Sequence, residues 1–476
     1  MDKKRTQWGS NFGFIMSAIG SAVGLGNIWA FPFKMGQNGG FAFLIVYVIL
    51  AVFVGLMIMV SELAIGRRTK LGVLGAYQKI SKRFGWIGWL AVLSPLILLS
   101  FYCVLGGYCV EYMCYNLSEV AFGVGAGAAD AGETIFSNML SNQLGALIFA
   151  LIFLGMCVII VKNGIKGGIE KFNKIGMPAL FVMLIIIIIR AVTLPGASEG
   201  IKFMLEPNLE PLKNDFIGVV STAGCQMFLS LSLAMGAMVT YGSYLGNKEN
   251  IVKSAGTIIF ADTLVAVLAG FAVLPAAFAL NGSEAVLSGP KLLFITLQDV
   301  FNQMGFVGPI FGVIFYLLVI IAAVSSAISL LEVIATMIID KREAKNKPVD
   351  RVKITAYICI PVVFLMAIVA VDGLGANGMW TPFSKSVGII GSFNDCWLDF
   401  FDTLAEGILM PIGGLLMAIM IGWEYGTENI RDEIMLEGNK FKSYKLYRVC
   451  MRFVVPVMML LILFGQISEI FGLKLL

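Results

Sequence analysis

Apolar residues in this chain come in long blocks, about 20 residues each with few charges, separated by short polar stretches. Eleven such blocks centre near residues 24, 54, 100, 154, 182, 229, 266, 323, 362, 410 and 462. At a rise of about 1.5 Å per residue, each is long enough to cross a hydrocarbon core of about 30 Å as a helix. Two of the blocks are interrupted at their centres. In the first, Gly20-Ser21-Ala22-Val23-Gly24-Leu25-Gly26-Asn27 lies in the middle of an apolar segment running from about Phe12 to Phe33. Each helix-interior glycine costs about 1 kcal/mol against alanine, so the spacing predicts a helix broken over residues 20–27. Backbone groups freed inside a bilayer cost several kcal/mol unless they find partners. The break therefore predicts carbonyls facing a cation and a second-half N-terminus facing an anion. The sixth block has a similar interruption, with two hydroxyls and a glycine in Ser230-Leu231-Ser232-Leu233-Ala234-Met235-Gly236-Ala237, preceded by Gln226 and followed by Gly242. Corresponding breaks in spans 1 and 6 predict an all-α, eleven-span inverted-repeat transporter, with spans 1 to 5 and 6 to 10 as halves and the eleventh as an addition.

Composition agrees with that pattern and narrows it. With 476 residues, 58% hydrophobic and 13% charged, and a mean hydropathy of +0.89, the chain is no ordinary soluble globule. The net charge of +4 matters less than its placement. Most of the 34 lysines and arginines fall in the N-terminus and alternate loops: Lys3 to Arg5, Arg67 to Arg83, Lys162 to Lys174, Lys248 to Lys253, Lys341 to Lys353 and Arg431 to Arg452. By the positive-inside rule these are cytoplasmic, and eleven spans then put the C-terminus outside. Each cluster borders a span, which argues against nucleic acid as a partner. Met-Asp-Lys-Lys-Arg leads into a long interrupted span with no small-residue cleavage site, which argues against a cleaved signal peptide. Histidine is absent, which removes His-based catalysis, haem ligation by His and the usual transition-metal sites. The eight cysteines lie mostly inside apolar blocks without metal spacing and are expected to be core residues.

Candidate chemistry concentrates at mid-block positions. Asp262, in the seventh block, is the most informative charge, because a carboxylate at membrane depth costs about 2.5 to 3.5 kcal/mol on insertion scales and needs a cation or a proton. No lysine or arginine is placed at its depth, which favours a metal ion. Ser325-Ser326 add adjacent hydroxyls in the eighth block. Either serine alone is explained by bonding back to its own helix; together, beside a broken helix, they suit a hard cation. Without several carboxylates to neutralise a divalent ion, sodium or potassium is preferred. Glu62 is expected near the inner interface, paired with a cation or capping a neighbouring helix. Gly168 and Pro178 mark either an inner end of the fifth span that unwinds or an ordinary loop-to-helix junction. Asp395, Asp399, Asp402 and Glu406 form either an acidic outer vestibule or a solvated helix end.

At these positions the sequence resembles the neurotransmitter:sodium symporters, in their bacterial eleven-span amino-acid branch. The resemblance covers nearly the whole chain and is carried by Trp8, Ser17 through Trp29, Phe31-Pro32, Asn38-Gly39-Gly40, Tyr47, Gln226, Ser230 through Gly236 and Ser325-Ser326. It implies a single transporter domain over 1–476, with repeat one about 8–195, repeat two about 215–425 and an extra helix about 446–473, in a bacterial cytoplasmic (inner) membrane. Two sodium ions are implied: one at Ala22, Asn27, Ser230, Asp262 and the substrate carboxylate, the other at Gly20, Val23, Ala322, Ser325 and Ser326. An amino acid would touch Ala22, Gly24, Leu25, Gly26, Leu98, Tyr102, Leu229, Ser230, Ser232, Met235, Ser326 and Leu330, its carboxylate on Tyr102 and the amides of Leu25 and Gly26. The inner gate would pair Arg5 with Asp340 among Trp8, Ser243 and Tyr244.

Three departures from the family pattern sharpen these expectations. Many members have asparagine where Asp262 stands, and some of those recruit chloride near Tyr47, Gln226 and Ser230; the fixed carboxylate implies no chloride requirement. Leu229 and Met235 replace frequent phenylalanines, which implies bulky hydrophobic or aromatic amino acids. Ala30 replaces the outer-gate arginine, leaving its partner position Asp402 unpaired and outer closure to Tyr102, Leu229 and water. Rival classes fare worse. A channel needs a continuous polar pore, and an enzyme would have to use Asp262 and Ser230 with no histidine or deep lysine. A non-transporting amino-acid sensor would share the site and differ in flux. The sequence carries no signal for oligomeric state.

Overall fold

The computed structural model describes residues 7–123, 131–282, 291–380 and 396–471. Every regular element among them is helical. Nine helices among the described residues are long and apolar enough to cross a membrane: Phe41–Thr69, Ile87–Phe122, Gln143–Lys162, Ile165–Val192, Ile251–Leu280, Gly305–Ala344, Arg351–Asp372, Trp397–Tyr425 and Tyr444–Ile470. A tenth span is the bent pair Asn11–Ala22 and Gly26–Gln37, whose halves meet at 51°. The sixth expected block is also helical but in two short pieces, Phe216–Ser230 and Ala237–Ser243.

Helix starts follow local chemistry. The side chains of Ser10, Asn142, Asp215, Asn250 and Asp350 each accept the amide three residues on, satisfying a donor that has no partner within the helix. Helix crossings are set by small residues. A Cβ on Gly66 would lie 2.0 Å from the Val239 carbonyl oxygen, and one on Gly242 would lie 2.6 Å from that of Leu63. The second span and the inner half of the sixth therefore approach backbone to backbone, as small residues permit in membranes.

Several expectations are revised. The third span runs from Ile87 to Phe122, far longer than a block of about 20 residues, and the connection after it contains the further helix Ala131–Ser141. The first break is narrower than 20–27. Gly20, Ser21 and Ala22 still belong to the first half, and the chain leaves the helix at Val23, which has extended φ/ψ. The second half opens with a wide turn in which the Phe31 amide bonds back five residues to the Gly26 carbonyl, a geometry common at functional sites. Gly168 lies in wound helix that runs on through Pro178, and a Cβ there would be 2.0 Å from the Ile160 carbonyl oxygen. All eight cysteines are free thiols.

Candidate functional site

The two breaks meet in the protein interior, and they are made differently. At the sixth, residues 231–236 are non-helical, with Ser232 at φ +51°, Ala234 at φ +59° and Gly236 at φ +78°. Left-handed backbone at a non-glycine residue costs about 1–2 kcal/mol, so this turn is held from outside. Glu62 is one such hold: its carboxylate accepts the Ala234 amide at 2.9 Å. It lies fully buried beside the break, and of its two expected roles it takes that of capping a neighbour. At the first break the glycines serve close approach. A Cβ on Gly24 would lie 2.4 Å from both Ser326 Oγ and Tyr102 Oη, and one on Gly26 would lie 3.1 Å from Leu229 Cδ2.

One cluster gathers around Asp262. Its Oδ1 accepts Asn27 Nδ2 at 2.8 Å, and its Oδ2 accepts Ser230 Oγ at 2.7 Å and Tyr47 Oη at 3.2 Å. Asn27 Nδ2 is also 2.9 Å from Ser230 Oγ, and Asn27 Oδ1 accepts the Gly24 amide. All four residues are fully buried, and every hydrogen-bond partner of the carboxylate named here is neutral. Gln226 Nε2 donates to the Gly26 carbonyl at 2.7 Å, fixing the start of the second half.

A second cluster gathers around the eighth span. Ser326 Oγ lies 3.3 Å from the Gly20 carbonyl oxygen, 3.1 Å from that of Ser21 and 3.3 Å from that of Val23. Ser325 Oγ lies 3.4 Å from the Val23 oxygen and 2.7 Å from that of Ala322. Oxygens that ligate a cation at about 2.4 Å in an octahedral shell stand about 3.4 Å apart. This set of uncharged oxygens, 2.7 to 3.4 Å apart, could gather around a monovalent cation.

Between the clusters and just above them, Tyr102 Oη accepts the Leu25 amide at 2.8 Å, and Ser232 Oγ donates to the Ser21 carbonyl at 2.7 Å, tying break to break. Leu98, Met235 and Leu330 are buried in the hydrophobic core. A cavity of about 1000 Å³ opens from this level on the side away from the N-terminus, with Leu25, Gly26, Tyr102 and Leu229 in its lining. Opposite, the described residues are packed shut. Trp8 donates Nε1 to the Tyr241 carbonyl at 3.1 Å and packs its ring against Phe14, Tyr241 and Tyr244. Tyr244 Oη meets Glu332 and Thr336 at 2.8 and 2.9 Å, and Glu332 pairs with Arg351. Ser243 turns its hydroxyl back to its own helix at Thr240 instead of to Trp8. Arg5 lies outside the described residues, as does Asp395; Asp340 accepts the Gly72 amide.

The sequence reading missed Lys34. Its ammonium sits 3.1 Å from Glu406, with side chains 17% and 4% exposed, in the wall of the same cavity as Asp402. Lys34 is one turn beyond Ala30, and a helical side chain leans toward its helix N-terminus, so it reaches back over the alanine. Asp402 therefore stands within the field of Lys34. The expectation of an Asp402 with no cation near it is corrected. A lysine within a span is a functional candidate by default, and that was the available signal.

Two interrupted helices presenting main-chain oxygens and one acid at the bottom of a one-sided cavity are the architecture of a secondary transporter. The profile of the sodium:neurotransmitter symporter family matches residues 5–123 and 136–475. An uncharacterized sodium-dependent transporter of Bacillus subtilis, YhdH, is 32% identical over 98% of this chain and 99% of its own. The sodium-dependent nutrient amino acid transporter 1 of Drosophila simulans is 27% identical over 99% of this chain and 79% of its own. The crystal structure of MhsT in complex with L-phenylalanine matches with a TM-score of 0.86 and 33% identity, over 97% of this chain and 100% of that one. The chain belongs to the sodium:neurotransmitter symporter family. It is a multi-pass membrane protein and a sodium-dependent secondary transporter, not an enzyme.

Proposed function

We propose that the protein imports bulky hydrophobic or aromatic amino acids with two sodium ions and without chloride. The observation that carries this reading is the convergence of both breaks on a buried carboxylate whose named partners are all neutral. A buried charge without a counter-charge is costly, and a sodium ion shared by Ala22, Asn27, Ser230, Asp262 and an amino acid's carboxylate balances it. The second ion lies among Gly20, Val23, Ala322, Ser325 and Ser326. Tyr102 and the amides of Leu25 and Gly26 receive the carboxylate, and the substrate side chain extends toward Leu98, Leu229, Met235, Ser326 and Leu330. Ala22, Gly24 and Ser232 close the backbone side. The fixed charge of Asp262 supplies what chloride otherwise would. MhsT's complex with phenylalanine supports the substrate class.

Coupling follows from shared coordination. If the carboxylate completes the first ion's shell, sodium and amino acid raise each other's affinity by one factor. Each charge moved down 100 mV supplies about 2.3 kcal/mol, and two ions about twice that. The repeats 8–195 and 215–425 rock about the site, with 446–473 outside them, in a bacterial inner membrane with the N-terminus inside and the C-terminus outside. In that orientation the cavity above Tyr102 faces outward, and the cluster of Trp8, Ser243, Tyr244 and Asp340 closes the inner side. Proteoliposomes under an inward sodium gradient, given a panel of labelled amino acids with chloride or gluconate, test the proposal. Sodium-dependent uptake of phenylalanine-sized substrates in either anion is expected. Uptake without sodium, or only with chloride, would contradict it.

A further inference from the structure

Asn173 of the fifth span belongs to neither cluster above, yet it carries a polar atom with no partner. Its side chain is fully buried, and Nδ2 is tied to the Ile169 carbonyl at 3.0 Å, which fixes the direction of Oδ1. Oδ1 itself accepts no hydrogen bond. An acceptor left unmade in the interior is a cost that structures seldom tolerate without a reason. What Oδ1 faces is the first span at Gly20: a Cβ built there would lie 2.2 Å from Asn173 Oδ1 and 3.2 Å from Ser325 Cβ. Gly20 and Ser325 both supply oxygens to the cluster around the eighth span. One turn toward the sealed side, Glu170 accepts the Gly9 amide at 2.7 Å and the Ser10 hydroxyl at 3.2 Å, so the same face of the fifth span holds the N-terminal segment.

We infer that Asn173 Oδ1 is a further sodium-binding oxygen, the first group to receive the ion of the Ser325–Ser326 cluster when it leaves toward the sealed side. This rests on the proposed second sodium site. The geometry gives it a function that no hydrogen bond does. A fixed, uncharged oxygen beside the shell lowers the cost of stripping the ion from Gly20 and Val23, and Glu170 stands next along the same helix face once the N-terminal segment lets go. A purely structural Asn173 would fill space against Gly20, its oxygen resting on the glycine Cα–H.

The test is sodium-titrated equilibrium binding of labelled phenylalanine to the purified full-length protein, with sodium-22 release from proteoliposomes as a second readout. Asn173→Leu keeps the volume and removes the oxygen, and Asn173→Asp keeps the oxygen and adds charge. The expected result is a half-saturating sodium concentration raised about threefold to tenfold by Leu and lowered by Asp, with slower sodium-22 release in both and unchanged phenylalanine affinity at saturating sodium. Superimposable sodium curves for wild type and either variant would overturn the inference, as would shifts of the same sign in both, which packing alone produces. If Asn173→Leu does not fold, the Asp variant still decides by sign. Failure of the underlying reading looks different: wild-type binding would not depend on sodium at all.

Discussion

Replacing Asp262 by asparagine removes a charge while keeping a side-chain oxygen at the same place, and so isolates electrostatics from coordination geometry. The carboxylate is fully buried and bonded to Asn27, Tyr47 and Ser230 at 2.8, 3.2 and 2.7 Å. Those donors stabilise the anion but do not neutralise it. A unit charge about 4 Å from a cation is worth about 4 kcal/mol at an effective dielectric of about 20. Allowing for relaxation and water, a loss of about 2–4 kcal/mol is expected, or roughly 30-fold to 1000-fold in sodium affinity. The missing charge also leaves room for an anion, so the variant should gain the response to chloride that the proposed mechanism denies the wild type. The assay is sodium-titrated amino-acid binding in chloride against gluconate. Wild type should give one curve in both anions. Asp262→Asn should be displaced strongly to higher sodium in gluconate and recover part of the difference in chloride. A variant whose curves coincide with those of the wild type in both anions would refute the charge-balance argument.

Met235→Phe places a stiffer, larger ring in the proposed substrate wall; competition by a graded series of amino acids should shift toward smaller side chains, and an unchanged series would remove Met235 from that wall. Gly24→Ala drives a methyl group to 2.4 Å from both Tyr102 Oη and Ser326 Oγ, so amino-acid binding should be lost while the protein still purifies as a monodisperse species; retained binding would mean that the break moves freely. Lys34→Ala strands Glu406, and breaking a mostly buried pair from one side costs about 3–5 kcal/mol. Its melting temperature should fall, and the double variant Lys34→Gln/Glu406→Gln should recover most of the loss; a double variant no better than the single one would show that the pair is not the cause.

The spans were legible because hydrocarbon imposes one requirement, apolar length, that composition meets directly. The sixth break was placed well, since Ser232, Ala234 and Gly236 occupy the unwound residues. The first was drawn too wide because glycine has two uses that look alike in sequence. None of Gly20, Gly24 and Gly26 has a positive φ; they are small so that Asn173, Tyr102, Ser326 and Leu229 can come close, and Gly20 does this inside regular helix. Asp262 and the Ser325–Ser326 pair stood out because polarity at mid-block is conspicuous. What stayed hidden were pairings between distant positions. Lys34 and Glu406 sit near block ends where a charge reads as solvated, and only the fold brings them together. The same holds for Glu332, Arg351 and Tyr244, and for Glu62, whose place beside Ala234 depends on how the second span crosses the sixth.

The most direct test of the central claim is the dependence of amino-acid affinity on sodium at equilibrium in the purified protein. If both ion clusters are filled and the first shares the substrate's carboxylate, the logarithm of the phenylalanine dissociation constant should fall with the logarithm of sodium concentration at a slope approaching two at low sodium. A phenylalanine affinity that does not change with sodium would contradict the account.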